Sequence, residues 1–393
     1  MESNKTVLYV GGFELPDKNA AAQRVLANAD ILKKLGYKVI FVGIDKCLDN
    51  KIPFEKTKTE TGGFTHYRKK YPVSLPEWLY YLTDISYINH FQPDIVIAYN
   101  YPAFALEKLR KWCKRHHAKI IADCTEWYEP QGNILFKIIK GMDIHFRMKV
   151  IHPKLDGMIA ISHYLYTYYT SRMKNVFQLP PLVDKQAGKW KMEKDDEIPD
   201  RIRLIYVGSP GPGNKDRLDI IINALEKIKR KYLLNFNFRI IGLTKEQYCK
   251  IYNINTLPPY CENCVEFKGR VSHTEALNYL ANSDFQIFIR QNNLTNTAGF
   301  PTKFVEATSC GIPVLTNFSS DLKNYLFCQE NGFLLDISSM DNLIHSLLIP
   351  LQLSKEERIR LKTTCRQFED TFDYRNYISG FEDFLSSVNA IKS

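Results

Sequence analysis

The 393-residue sequence has no apolar run long enough to span a bilayer, and its start, MESNKTVLYVGGF, lacks the basic-then-apolar order of a secretory leader. Both absences lead to a cytoplasmic chain as the expectation. The nine cysteines show no disulfide framework, which fits a reducing compartment. Only one C-x-x-C occurs, Cys261 to Cys264, and no second pair follows at zinc-finger spacing, although His273 is near. Free structural thiols are the simpler reading, and no metal is expected. The acceptor triplets at Asn4, Asn293 and Asn317 matter only in a secreted protein and are discounted. No nucleophile motif stands out.

Negative charge is in deficit. The formal net charge of +10 calls for an acidic partner, for which nucleic acid, anionic lipid and sugar nucleotides all qualify. Of two basic runs, Lys108 to Lys119 and Lys137 to Lys154, the second interleaves Ile138, Ile139, Met142, Ile144 and Phe146 with Lys and Arg. That mixture suits either a peripheral membrane contact or a partly buried helix with solvated lysines.

What is present is alternation, the mark of parallel sheets. Val7 to Val10 reads as a strand, Gly11-Gly12 as a tight turn, and Ala20 to Leu35 as a helix closed by Gly36. Strands are expected at Val39–Val42, Asp94–Ala98, Lys119–Ala122, Met158–Ile161 and Val176–Leu179. Gln186 to Pro199 is polar and aperiodic, a linker. The alternation restarts with Leu204–Val207, a Gly/Pro loop from Gly208 to Gly213 and a helix with Leu218, Ile221, Ile222, Leu225 and Ile228 on one stripe. Phe238–Ile241, Val265–Phe267 and Phe285–Ile289 follow, with a capping box Ser272 to Glu275 between the last two.

The most informative stretch is GFPTKFVEATSCGIPVLT, Gly299 to Thr316. It reads as a loop, a helix begun by Pro301 and Thr302 and ended by Gly311, then a buried strand. In a doubly wound domain the start of such a helix faces the phosphate-binding crevice. Lys303 and Glu306 sit one turn apart on one face, suited to a phosphate and a ribose or to a solvated pair.

These words in this order resemble the GT-B glycosyltransferases, and within them the retaining group numbered family four. GG…R…L..GYKV (Gly11, Gly12, Arg24, Leu35, Gly36), YVGSPGPGNKD (Tyr206–Asp216), FKGRVSHTEALNYLANSDFQIFI (Phe267–Ile289) and the tail FDYRNYISGFEDFL (Phe372–Leu385) carry the resemblance. It implies two Rossmann-like domains facing a cleft: an acceptor domain over 1–187, joined by a returning helix at about 372–393, and a donor domain over 200–371. It implies that the backbone at Gly269, Arg270 and Val271 reads a base and that Glu306 holds the ribose. Gly208, Ser209, Lys215, Arg290, Thr302 and Lys303 then surround the diphosphate, with Lys215 and Lys303 as the electrophilic pair. The donor is expected to be a UDP-sugar, the acceptor a glycan or lipid-linked sugar in surface polysaccharide synthesis, with no nucleic-acid partner.

On the acceptor side the expected contacts are Gly12, Phe13, Asp123 and Trp127, with Glu126 polarising a hydroxyl or acting as a structural cap. Arg24 is a helix-face charge or a phosphate contact. The sequence departs from the family at Ala298, where a sugar-binding glutamate is usual, and at Ser209, where arginine is usual. Arg290, Asn296 and Thr297 are the nearest candidates to compensate. A non-catalytic GT-B subunit and a sugar-nucleotide epimerase are the alternatives.

Overall fold

The computed structural model describes residues 5–390 apart from 17, 50–51, 131–133, 193–198 and 212. Part of the expected linker, and Asn4 of the first acceptor triplet, lie outside the described residues. The chain forms two compact units, one of residues 1–183, 297–300 and 374–393, the other of residues 184–296 and 301–373.

Unit 1 holds eight strands: β1 Thr6–Gly11, β2 Lys38–Asp45, β3 Thr59–Thr61, β4 Phe64–Lys70, β5 Ile95–Tyr99, β6 Lys119–Cys124, β7 Gly157–Ala160 and β8 Val176–Gln178. Their order is β3-β4-β2-β1-β5-β6-β7-β8, parallel except for the β3–β4 hairpin. Central strands of such a sheet are covered on both faces and become continuously apolar. Val7 to Val10 are accordingly buried throughout, as are Ile95 to Ala98. β4 carries no apolar signature, because only Phe64 and His66 of FTHYRKK are buried and the rest is half-exposed.

The helix Ala20–Lys34 starts where the Asn19 side chain accepts the Ala22 N–H, and it turns off at Gly36 with φ +83°. It buries Val25, Ala29 and Leu32 on the sheet. The last helix, Ile378–Asn389, buries Phe381, Phe384, Leu385 and Val388 in the same core, each large side chain contributing roughly 1.5–3 kcal/mol. Gly157 is needed for that approach, since a Cβ there would lie 2.8 Å from Val388 Cγ2.

Unit 2 holds β9 Ile202–Val207, β10 Phe236–Ile241, β11 Val265–Gly269, β12 Phe285–Ile287, β13 Val314–Thr316 and β14 Gly332–Leu334. The sheet is wholly parallel, in the order β11-β10-β9-β12-β13-β14. Strand order therefore reverses beside β9, which puts a ligand crevice at the carboxyl ends of β9 and β12. The helix Leu218–Tyr232 buries the expected stripe, Leu218, Ile221, Ile222, Leu225 and Ile228. Ser272 caps the helix His273–Ala281 by accepting the Glu275 N–H at 3.2 Å, the forward half of the expected box.

Candidate active site

Three strand ends of unit 2 interlock through glycines. Gly208 N–H donates to the Ile241 carbonyl (2.8 Å), Gly242 N–H to the Gly269 carbonyl (2.7 Å), and Gly269 N–H to the Leu243 carbonyl (2.9 Å). A Cβ on Gly242, at φ +104°, would sit 2.6 Å from the Gly208 carbonyl oxygen; one on Gly208, at φ +114°, would meet Lys303 Nζ at 3.1 Å. The bare backbone thus lets the loop after β9 lie directly against Lys303.

Lys303 is the second residue of the helix Thr302–Ser309, which begins after Pro301 and is followed by Gly311 at φ +69°. Its Nζ is 2.9 Å from Asp216 Oδ2, 3.2 Å from the Ser209 carbonyl and 4.9 Å from the centre of the Tyr206 ring. Asp216 is the hub. Its other oxygen takes the Arg290 Nε at 2.6 Å, and Tyr206 donates its hydroxyl to Oδ2 at 2.7 Å. Burial pushes this carboxyl up, but Arg290 and then Lys303 more than offset it and hold it down at about 2. Burial and the same carboxylate drive the Tyr206 hydroxyl well above its ordinary value. Two cations share one anion, which leaves the cluster with a net positive charge beside a helix start.

One turn on, Glu306 Oε1 lies 3.2 Å from His273 Nε2, and the Trp190 ring stands edge-on to that imidazole at 6.5 Å. The ring of His273, the histidine nearest the Cys261–Cys264 pair in sequence, is engaged by Glu306. Cys261 and Cys264 are free, buried thiols, with Cys264 Sγ donating to the Tyr260 carbonyl. Among the described residues no group of three or more His, Cys, Asp and Glu is placed to hold a metal ion.

The donor-side residues expected from the sequence, Gly208, Ser209, Lys215, Gly269, Arg270, Val271, Arg290, Thr302, Lys303 and Glu306, all belong to unit 2. Lys303 and Arg290 converge on Asp216, a residue that sequence reasoning passed over. Gly211 packs near the Lys215 side chain, where a Cβ would lie 3.6 Å from Lys215 Cδ. Asn296 is buried; its Nδ2 donates to the Gln291 carbonyl at 2.8 Å, while its Oδ1 has no hydrogen-bond partner among the described residues. Ala298 clusters with unit 1, where Ser162 donates its hydroxyl to the Ala298 carbonyl at 2.8 Å.

The acceptor-side residues fare differently. Asp123, expected at the acceptor, is fully buried: Arg24 reaches both its oxygens (Nη2–Oδ1 2.8 Å) and Tyr9 donates at 2.5 Å. Arg24 Nη1 donates to the Leu179 and Pro180 carbonyls. The pair is a core brace, so Asp123 has no oxygen left for a sugar, and Arg24 none of its charge for a phosphate. Phe13 is corrected likewise: its side chain is fully buried among Tyr9, Phe41 and Tyr99. Trp127 is buried edge-on to Tyr168 at 4.9 Å, and Glu126 is half-buried beside it. Gly12 is exposed at the end of β1.

Residues 201–350 match the family model described as Glycosyl transferases group 1. The chain is also similar in structure to sucrose-phosphate synthase from Thermosynechococcus elongatus, with a TM-score of 0.70, 14% identity, and 98% of this chain and 100% of that one covered. Anabaena HepE in complex with UDP-glucose superposes with a TM-score of 0.67 at 14% identity over 98% and 100%. The E. coli trehalose-6-phosphate protein bound with UDP-2-fluoro glucose gives 0.68 at 12% over 99% and 100%. The fold is that of the GT-B glycosyltransferases. No curated protein matches in sequence. The group 1 match covers the segment that contains Gly208, Asp216, His273, Lys303 and Glu306.

Proposed function

We propose that this GT-B chain is a retaining glycosyltransferase that moves a sugar from a UDP-sugar to a glycan or lipid-linked acceptor. The observation that carries the reading is the Asp216-centred cluster at the start of the helix Thr302–Ser309. When the sugar–phosphate bond breaks, charge gathers on the departing diphosphate. A fixed ammonium at contact distance is worth on the order of 4 kcal/mol at an effective dielectric near 20, and Lys303 needs no reorganisation to supply it. Free N–H groups of the helix start add to the same field. Glu306, one turn on, accepts from the ribose hydroxyls, and His273 orients it. Gly269, Arg270 and Val271 lie at the end of β11, where a base is read through backbone groups.

Arg290 answers the absence of arginine at Ser209: it brings a second cation to the same carboxylate from a different strand end. That favours an active donor site over a non-catalytic subunit. In the retaining scheme the leaving phosphate takes the acceptor's proton, which requires no protein nucleophile. Known structures of this fold carry UDP and UDP-sugars, which makes UDP the first donor to test. Turnover of a UDP-sugar panel, with the anomer of the product read by NMR, tests the reading; an inverted product or epimerised donor contradicts it.

A membrane-borne acceptor is favoured by one surface of unit 1. Ile134, Ile138, Met142 and Phe146, spaced four apart, are 79%, 54%, 51% and 39% exposed, with Lys137 and Lys149 exposed beside them. Such a stripe suits an anionic bilayer surface. Among the described residues no helix is long and apolar enough to cross a membrane; the contact proposed is peripheral. Sedimentation with anionic vesicles, lost in Ile138→Glu, tests it.

A further inference from the structure

Unit 1 contains a cavity of about 570 Å³ that none of the expected acceptor residues lines. It lies past the carboxyl ends of β2 and β4, against the helix Leu75–Tyr81, and its size falls within the ~300–1,000 Å³ of small-molecule sites. We propose that it holds one neutral sugar ring of the acceptor glycan. This rests on the transferase reading and names the chemistry on its acceptor side.

The walls are aromatic. Phe54 and Tyr87 stand 6.1 Å apart, Phe54 is stacked on Tyr67 at 5.3 Å, and Tyr80 and Tyr81 contribute from the helix. Lys69 Nζ sits 4.7 Å from the centre of the Tyr87 ring and 5.6 Å from that of Tyr81. Flat apolar faces of this kind take the C–H face of a pyranose.

The polar groups are charged, but in balanced pairs. Lys69 meets Asp84 at 2.6 Å, Lys70 meets Glu77 at 3.0 Å, and Arg68 meets Asp45 at 2.9 Å. Asp84 is fixed further by the Ser86 N–H and hydroxyl, and Glu77 by the Val73 and Ser74 N–H groups. Three basic residues in a row would suggest a phosphate, yet each is already neutralised, so an anionic ligand would have to displace a carboxylate. A lipid tail would leave these groups desolvated without repayment in hydrogen bonds. A sugar hydroxyl both donates and accepts, so it can donate a hydrogen bond to a carboxylate while accepting one from the adjacent ammonium.

The cavity also connects to the strand end where an acceptor is expected. Tyr81 lines it, and the Tyr81 hydroxyl lies 3.9 Å from where a Cβ on Gly12 would be. Among the described residues that hydroxyl makes no hydrogen bond, which leaves it available to a ligand lying between the cavity and Gly12. The ring held in the cavity is thus a neighbour of the reacting one.

The test is saturation-transfer NMR on the full chain with methyl glycosides of glucose, galactose, mannose, rhamnose and N-acetylglucosamine, alongside calorimetry with UDP. At least one glycoside should bind, and Tyr80→Ala and Asp84→Asn should each weaken it by about tenfold, the cost of one hydrogen bond to a charged group or one ring contact. Tyr80 is 62% exposed, so its variant keeps the fold even if that of Asp84 does not. UDP affinity should be unchanged in both. No signal from any glycoside, or undiminished signal in Tyr80→Ala, overturns the proposal. Glycoside binding without UDP binding would instead sink the donor-site reading and leave the cavity assignment standing.

Discussion

Lys303 Nζ and Asp216 Oδ2 lie 2.9 Å apart, both nearly buried, with Arg290 on the carboxylate's other oxygen. Their pairing sets the position of the proposed phosphate-binding cation before any ligand arrives. Removing the shared anion leaves two cations partly desolvated and facing each other. Asp216→Asn should therefore cost about 3–5 kcal/mol of stability, read from urea unfolding monitored in unit 2 by Trp190 fluorescence.

Acid should act through the same carboxylate. Asp216 falls from an ordinary 3.8 to about 2 in the folded chain, so the unfolded state binds the proton first. The stability it contributes is present above about pH 4 and is lost as pH falls through 2, about 2 kcal/mol in all. A second window belongs to two histidines: His66, buried against Arg68 and lowered from 6.5 to about 4 by burial and then by that charge, and His152, enclosed and held well below its ordinary value by burial and then by Arg147. Here too the unfolded chain takes the proton first, so stability falls as pH drops from 6.5 to 4. Urea midpoints should fall as pH drops across this range, and His66→Gln should reduce the slope of the upper window, leaving the part that His152 contributes.

Gly242→Ala should destabilise unit 2 and impair nucleotide binding together, since its Cβ would press on the Gly208 carbonyl at a φ of +104°. Gly188→Ala is the control, with nothing within 4 Å of the added methyl. Equal melting temperatures in the two variants would remove the interlocked-glycine account.

The Arg24–Asp123 brace makes the opposite prediction for unit 1. Arg24→Met, which leaves Asp123 charged and enclosed, should cost about 3–5 kcal/mol; UDP affinity at saturating folded protein should stay the same. A variant that folds normally and loses acceptor binding alone would restore Asp123 and Arg24 to the site.

Much of this was readable in the residues. Pro301, Thr302 and Gly311 bracket a helix by local chemistry alone, and the buried strands of both sheets announce themselves as apolar runs. Asp216 did not announce itself. Next to Lys215 in a Gly/Pro loop it reads as ordinary loop charge, and Arg290, the partner that gives it meaning, is 74 residues away. The role of His273 was not legible either, because its partner Glu306 is 33 residues away in the chain. Asp123 misled because a strand's end marks where sites gather but not which way a side chain points, and this one faces the core. β4 was hidden because its buried pair, Phe64 and His66, includes a polar residue and breaks the apolar alternation.

Lys303 and Glu306 should separate two roles. Lys303→Met should lower kcat about 100-fold, the usual cost of a lost electrostatic contact in the transition state, and weaken UDP binding by a smaller factor. Equal losses in both quantities would make Lys303 a simple binding residue.

The central claim is that unit 2 grips a uridine nucleotide between Lys303 and Glu306. Isothermal titration of UDP into the wild-type chain and Glu306→Ala tests it most directly. Saturable binding at one site, weakened roughly 10- to 150-fold by loss of the ribose contact, is the expected result; no binding to the wild type, or equal affinity in the two proteins, contradicts it.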